Sequence, residues 1–243
     1  LGRDEFVLEF QPAPAVASGQ IVGAEALLRW RHPQLGVLPP ERFIAVAEEC
    51  GLMVSIGNWV LQQACRRARA WHGAGQAWRV AVNLSPAQCL HNNLLLSVQE
   101  ALAVSGLPAA CLELEVTESL LMKGGARLAG LLAQLRALGA RLAIDDFGTG
   151  YSRLANLRHY PVDKLKIDPS FLPAVADDAA GESDTMLAAT IIAMARKLQL
   201  TVIAEGVETA QQLAYLRGQG CQQYQGRYAS AQVAGSVLAK LLH

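Results

Sequence analysis

The sequence predicts an α/β fold, a modified (β/α)8 barrel of the TIM type, and three observations predict it. Short apolar runs alternate with helical patterns along most of the 243 residues, the arrangement that builds a sheet wrapped by helices. Hydrophobic residues make up 52% and charged residues only 17%, so much of one large domain must be buried. The predicted strands also end in acids and amides, and barrel enzymes carry their working residues at the C-terminal ends of strands.

Taken in order, Phe6 to Gln11 alternates as a first strand and stops at Pro12 and Pro14. After the Ser18-Gly19 turn, Ile21 to Trp30 forms a second strand that carries Glu25 among apolar residues. The link between the two is too short for a crossover helix, so they are expected to be antiparallel neighbours. If the second strand is the one that opposes the rest, Glu25 must reach the barrel mouth from partway along it. Phe43, Ile44, Val46 and Ala47 form a helical stripe that closes near Gly51, and Val54 to Trp71 forms a longer helix.

Strand, loop and helix then repeat. Arg79 to Asn83 is a strand, and Ser85-Pro86 opens a helix toward Leu102, with Ser as N-cap and Pro first. Leu112 to Thr117 is a strand with Glu113 and Glu115 on one face, and Arg127 to Leu138 is a helix. Ala143 leads into Asp145, Asp146 and the glycines Gly148 and Gly150. In Lys164 to Asp168 the two lysines and the aspartate share a face. Ala174 to Ser183 is expected to be a mobile loop, followed by a helix from Met186 to Leu198. Thr201 to Glu205, a helix to Arg217, Cys221 to Gln225 and a helix from Gly235 complete eight strands.

The predicted strand ends gather Asn83, Glu115, Asp145, Asp146, Lys166, Glu205 and Gln225, with Glu25 joining them. Each alone has an ordinary structural explanation, such as a helix cap or a snorkelling lysine. Together at one end of one barrel they do not. Crowded carboxylates need positive charge, and one lysine is too little. An oxygen-only donor set without His or Cys selects a hard cation, Mg2+ or Mn2+ rather than Zn2+. Two such ions about 3.5–4 Å apart suit phosphodiester hydrolysis. Arg29 is placed to fork onto a phosphate oxygen. The residues alone therefore indicate a metal-dependent barrel that hydrolyses phosphoryl esters.

Composition excludes other classes. There is no net charge and the pI is near 7.1, so no nucleic-acid polymer or membrane surface is expected as partner. Arg66, Arg67 and Arg69 read as a solvated helix face. Five cysteines without a C-x-x-C pair read as reduced residues of a cytoplasmic domain. No apolar run approaches the roughly 18 residues of a membrane span.

The blocks Gly23 to Trp30 with Glu25-Ala26-Leu27, Ala81 to Ser85, Glu115 to Glu118, Asp145 to Ser152, Lys164 to Asp168, Ala204 to Thr209 and Gln225-Gly226 resemble the EAL domain, a bacterial cyclic di-GMP phosphodiesterase. The resemblance implies a barrel with one antiparallel strand near the N-terminus. It further implies hydrolysis of cyclic di-GMP to linear pGpG with Mg2+ or Mn2+, and inhibition by Ca2+. Glu25, Asn83, Glu115 and Asp145 resemble ligands of a first ion, with Asp145 and Asp146 serving a second. Lys166 resembles the residue that orients the attacking water, and Glu205 the acid that holds bound water. Gln11, Leu28, Arg29, Asp168 and Gln225 match positions that touch the dinucleotide. Glu118 and Glu208 resemble supports of the loop from Phe147 to Ser152, which in the family leads to a homodimer interface with the adjacent helix.

The departures are Phe10, Ala13, Arg153 and the run Arg227 to Gln232, none a metal ligand; the last is expected to alter substrate contacts at the rim. A silent cyclic di-GMP receptor is the alternative, and such relatives typically lose part of the acidic set that is intact here. The expected organisation is a single EAL domain over residues 1–243 within a longer multidomain protein, since the chain opens on Leu1.

Overall fold

The computed structural model describes residues 4–72, 78–91, 93–148, 160–172, 181–230, 233–235 and 238. Its strands are β1 (Phe6–Pro14), β2 (Ile21–His32), β3 (Gly36–Leu38), β4 (Arg79–Asn83), β5 (Leu112–Thr117), β6 (Arg141–Phe147), β7 (Lys164–Ile167), β8 (Thr201–Ala204), β9 (Gln223–Tyr224) and β10 (Val233–Ala234). The helices are α1 (Ile44–Glu49), α2 (Met53–Trp71), α3 (Pro86–Leu90), α4 (Leu94–Ser105), α5 (Glu118–Ala137), α6 (Gly181–Lys197) and α7 (Ala210–Gln219).

The sheet runs β10-β1-β2-β4-β5-β6-β7-β8-β9, with β3 on the side of β2. From β2 through β9 every neighbouring pair on that path is parallel. β1 is the antiparallel strand, pairing β2 along its length with Gln11 opposite Glu25. An antiparallel bridge between Ala15 and Gln223 ties the end of β1 to β9 and curls the sheet toward closure. The expected barrel with one antiparallel strand is therefore present. The orientation considered for the Glu25 strand is corrected: β2 runs with the others, so Glu25 reaches the mouth directly.

Alternation divides the strands into two chemically opposite faces. Val80, Val82, Leu112, Leu114, Val116, Leu142, Ile144, Leu165, Ile167 and Val202 are buried outward against the helices. α2 meets them with a buried stripe that includes Ile56, Val60, Leu61, Ala64, Ala68 and Trp71, and Trp71 stacks edge-on against Phe10 of β1 at 4.9 Å. Arg66, Arg67 and Arg69 lie on its solvated side, as expected. The inward face carries Glu25, Glu113, Glu115, Asp145, Lys164 and Lys166, all buried. Most barrels of this type fill the interior with branched apolar residues; this one fills it with charge.

Several boundaries differ from the sequence expectation. The helix from Ser85 to Leu102 is two helices: Ser85 caps α3 in a capping box with Gln88, and extended backbone at His91 breaks the run before α4. α5 begins at Glu118, capped by Thr117, and kinks at Gly125, whose φ of 56° is non-helical. The segment beyond the kink is the helix expected from Arg127 to Leu138, and the segment before it is an addition. β3 and β10 are additional short strands. Gly181 to Ser183 belong to α6, while the rest of the expected loop from Ala174 lies outside the described residues. So do residues 149–159 after the Asp-Asp strand and most of the expected C-terminal helix.

At the end of β9 the chain presses on the β8–α7 connection. Val207 N donates to Gln225 O and Tyr228 N donates to Val207 O, each at 2.9 Å. Gly226 sits between at φ 148°, and a Cβ there would collide with the Val207 backbone. We expect Gly226→Ala to cost about 1–3 kcal/mol, read as a lower urea midpoint with an unchanged denaturant slope.

Candidate active site

The site is built around Lys166. Its Nζ, on the inner face of β7, lies 2.6 Å from Glu205, 2.8 Å from Glu115, 3.2 Å from Glu25 and 3.3 Å from Asp145. Glu115 and Lys166 belong to strands separated by β6, on which Ala143 pairs with Glu115 on one side and with Lys164 on the other. Its small side chain leaves the inner face of β6 open for carboxylate and ammonium to meet across it. One layer deeper, Glu113 and Lys164 make the same contact at 2.7 Å.

Glu25 is held on several sides. Asn83 Nδ2 donates to it at 2.6 Å, Lys166 Nζ at 3.2 Å and Gln225 Nε2 at 2.9 Å. Gln225 Nε2 also donates to Gln11 Oε1 at 2.9 Å, joining β1 to the end of β9 at the mouth. Asp145 and Asp146 sit at a β-bulge, where the β6–β7 register shifts between Ile144 and Phe147. Bulges re-aim side chains beside active sites. Asp146 adopts φ 53°, left-handed backbone that aspartate tolerates better than most residues; it is exposed, whereas Asp145 is buried.

The electrostatics follow from four carboxylates around one ammonium. Burial alone would lower the Lys166 pKa, but Glu115, Glu25, Glu205 and Asp145 outweigh it and hold the ammonium charged well above its ordinary range. Burial and the neighbouring Glu25 push Glu115 well up. Burial also raises Glu25, yet Lys166 and the hydrogen bonds from Gln225, Lys166 and Asn83 bring it below the ordinary value. Burial, then Asp145 and Asp168, raises Asp146. Burial carries Glu205 up to about 7, opposed by Lys166.

The donor set fits a hard divalent cation. It offers carboxylate and amide oxygens, and the raised acids mark a cluster short of positive charge. Among the described residues no three acidic, His or Cys side chains already form a ligand cage; the carboxylates converge on Lys166 instead.

A cavity of about 790 Å3 opens above this floor, lined by Glu9, Gln11, Glu25, Leu27, Glu41, Asp145, Lys166, Pro169, Glu205, Gly206, Glu208, Gln225, Gly226 and Arg227. Arg29 is buried, its Nε on Glu9 Oε2 at 2.9 Å and its Nη1 on Leu28 O at 2.8 Å. Asp168 accepts from Ser170 N at 2.8 Å, capping a short turn. Leu28 lies on the opposite face of β2 from Glu25 and lines a neighbouring cavity of about 370 Å3 with Asn83. Glu118 Oε2 accepts from Gly148 N at 2.8 Å, a direct hold on the start of the loop after Asp146. Glu208 instead meets Arg227 at 3.4 Å; residues 149–159, where its expected loop contact would fall, lie outside the described residues. Glu9 and Glu41 were not singled out from sequence. Glu9 shares a strand face with Gln11 and was legible in principle; Glu41 sits in a turn with no periodic signal.

The EAL domain family model matches residues 1–232. The chain belongs to the EAL domain family. This EAL domain is 47% identical over 243 residues to "Cyclic di-GMP phosphodiesterase NbdA" of Pseudomonas aeruginosa, covering all of this chain and 31% of that protein. It is 44% identical over 227 residues to "Bifunctional diguanylate cyclase/cyclic di-GMP phosphodiesterase MucR" of the same organism, covering 93% of this chain and 33% of that protein. The chain thus spans about a third of the length of these curated relatives. Among solved structures, "PaMucR Phosphodiesterase, c-di-GMP complex" superposes with a TM-score of 0.91 at 42% identity, covering 98% of this chain and 95% of that one. "Structure of EAL Enzyme Bd1971 - cAMP and cyclic-di-GMP bound form" gives 0.92 at 31% identity, covering all of this chain and 66% of that one.

A pH dependence follows from Glu205. Its value is raised from 4.5 to about 7 in the fold, so its contribution to stability is full below about pH 4.5 and is lost as pH rises through about 7. The cation-free EAL domain is expected to lose stability over that window. Mg2+ or Mn2+ should raise the Tm more at about pH 8 than at about pH 6, because cation ligands must be deprotonated. Thermal unfolding with and without EDTA at the two pH values checks both.

Proposed function

We propose that this domain hydrolyses cyclic di-GMP to linear pGpG using Mg2+ or Mn2+. The observation that carries the reading is the intact inward set of Glu25, Asn83, Glu115, Asp145 and Lys166, joined by hydrogen bonds and ion pairs, with Glu25, Asp145 and Lys166 at the floor of one large cavity. Relatives named as cyclic di-GMP phosphodiesterases support it.

In this reading Glu25, Asn83, Glu115 and Asp145 hold a first cation, and Asp145 and Asp146 a second. When bound, the cations would activate water and offset charge on the phosphodiester. Lys166 stays protonated because acids surround it, so it orients the attacking water and neutralises charge growing on the phosphate oxygens. Glu205, near 7, is poised to take a proton from that water at neutral pH. Water adds to phosphorus and the bond to the ribose 3′ oxygen breaks, leaving a 5′ phosphate on the linear product. Arg29, oriented by Glu9 and the Leu28 carbonyl, is assigned to a phosphate oxygen. Gln11 and Gln225 line the cavity and contact the dinucleotide, and Asp168 and Leu28, which lie outside that lining, are assigned to it by family resemblance alone.

Ca2+ is expected to inhibit, since it accepts looser, larger coordination than Mg2+. A homodimer through the loop after Asp146 and the adjacent helix remains part of the proposal; Met186 and Leu187 on α6 are exposed apolar residues that such a face would cover. No described helix is long and apolar enough to cross a membrane.

Incubation with cyclic di-GMP and Mn2+ should yield pGpG by chromatography, and EDTA should stop it. Asp146→Asn should reduce turnover by about a hundredfold or more with little change in Tm, because the residue is exposed and Asn tolerates its backbone. Wild-type rates in that variant would remove Asp146 from the mechanism. Binding without turnover by the unaltered domain would favour the receptor reading.

A further inference from the structure

The floor of the cavity is committed to one phosphodiester, and its chemistry says nothing about the bases. A cyclic dinucleotide carries its phosphates in the central ring and projects its bases outward, so a base must meet the wall. That wall is mostly acidic: Glu9, Glu41 and Glu208 line it above the floor. Carboxylates accept hydrogen bonds from the N1 and N2 groups of guanine, but O6 and N7 are themselves acceptors and need a donor.

Among the described residues two cations line the cavity, Lys166 and Arg227. Lys166 is enclosed by four carboxylates. Arg227 differs in every respect. Its side chain is 85% exposed, and its ion pair to the half-exposed Glu208 is long, at 3.4 Å. An exposed pair of this kind contributes little and costs little to leave. Its root is nevertheless fixed. Gln225 and Tyr228, on either side, both bond to the Val207 backbone, and Gly226 fits where no Cβ would. Arg227 is thus a guanidinium on a fixed base with a loosely held tip, at the rim of the cavity.

We propose that Arg227 is a specificity-determining residue that leaves Glu208 and forks onto O6 and N7 of one substrate guanine. The inference rests on the reading of the cavity as a cyclic di-GMP site and adds the group that reads the base.

The test measures Kd by calorimetry in Ca2+ for cyclic di-GMP, for its inosine analogue, which keeps O6 and N7, and for cyclic di-AMP, which presents an amino group in place of O6. It also measures kcat and KM with cyclic di-GMP in Mn2+. Arg227→Ala should weaken cyclic di-GMP and the inosine analogue alike, about tenfold or more, raise KM to match, leave kcat unchanged, and weaken cyclic di-AMP clearly less, since adenine keeps N7 but has no acceptor in place of O6. Equal weakening of all three ligands would mean general charge attraction and would overturn the inference. Unchanged affinity for cyclic di-GMP would overturn it while leaving the proposed activity standing. No binding or turnover by the unaltered domain would overturn both. Arg227 is exposed, so the variant is expected to match the unaltered Tm.

Discussion

A lysine ammonium enclosed by carboxylates is the constraint on which the interior depends. Lys166 is 1% exposed, and taking an ion out of water costs several kcal/mol even after relaxation. The cost is met only because Glu205, Glu115, Glu25 and Asp145 all lie within 3.3 Å. The acids in turn depend on the lysine and on amide donors, since Asn83 and Gln225 each hold Glu25. Charge remains unbalanced on the negative side, which is what a cation-binding site requires before it binds.

Such an interior contributes little net stability, so the fold must be carried elsewhere. The outer faces of the strands supply it: Val80, Leu112, Leu114, Val116, Leu142, Ile144, Leu165 and Val202 are fully buried against the helices. The division of labour is set by alternation. Each strand residue facing outward adds to the apolar layer, and each facing inward is free to be charged. The deeper Glu113–Lys164 pair shows that charge pairing extends below the reactive layer. The reversed direction of β1 serves the same mouth by a different route, because it brings Gln11 opposite Glu25 and within reach of Gln225.

Much of this was legible in the chain. The repeats of strand and helix predict the barrel, and period-two spacing puts Glu113 with Glu115 and Lys164 with Lys166. What spacing does not encode is register. Nothing local says that Ala143 will stand between Glu115 and Lys164, or that β2 rather than β1 will run with the other strands. The bulge at Asp145-Asp146 is a property of the pairing with β7, so strict alternation misjudges how the two acids are aimed. Gly124-Gly125 does break the helical run, and Gly125 leaves helical geometry at a kink; the segment before it, with Leu120 and Leu121 buried, is a short helix that spacing alone does not mark. His91 ended a helix whose apolar pattern continued, which is tertiary context prevailing over periodicity.

Floor and rim answer different physical demands. The floor must keep like charges close, so it is buried, cross-linked and insensitive to solvent. The rim must admit a charged, base-bearing ligand and release its product, so its polar groups stay hydrated. Fixing them through the backbone reconciles the two needs. The contacts of Val207 with Gln225 and Tyr228 hold the rim to the floor without using any rim side chain. Gln225 points inward from this segment to Glu25, while Arg227, two residues on, remains in water. One short piece of chain therefore serves both layers, and the glycine between those residues is what lets it approach closely enough to do so.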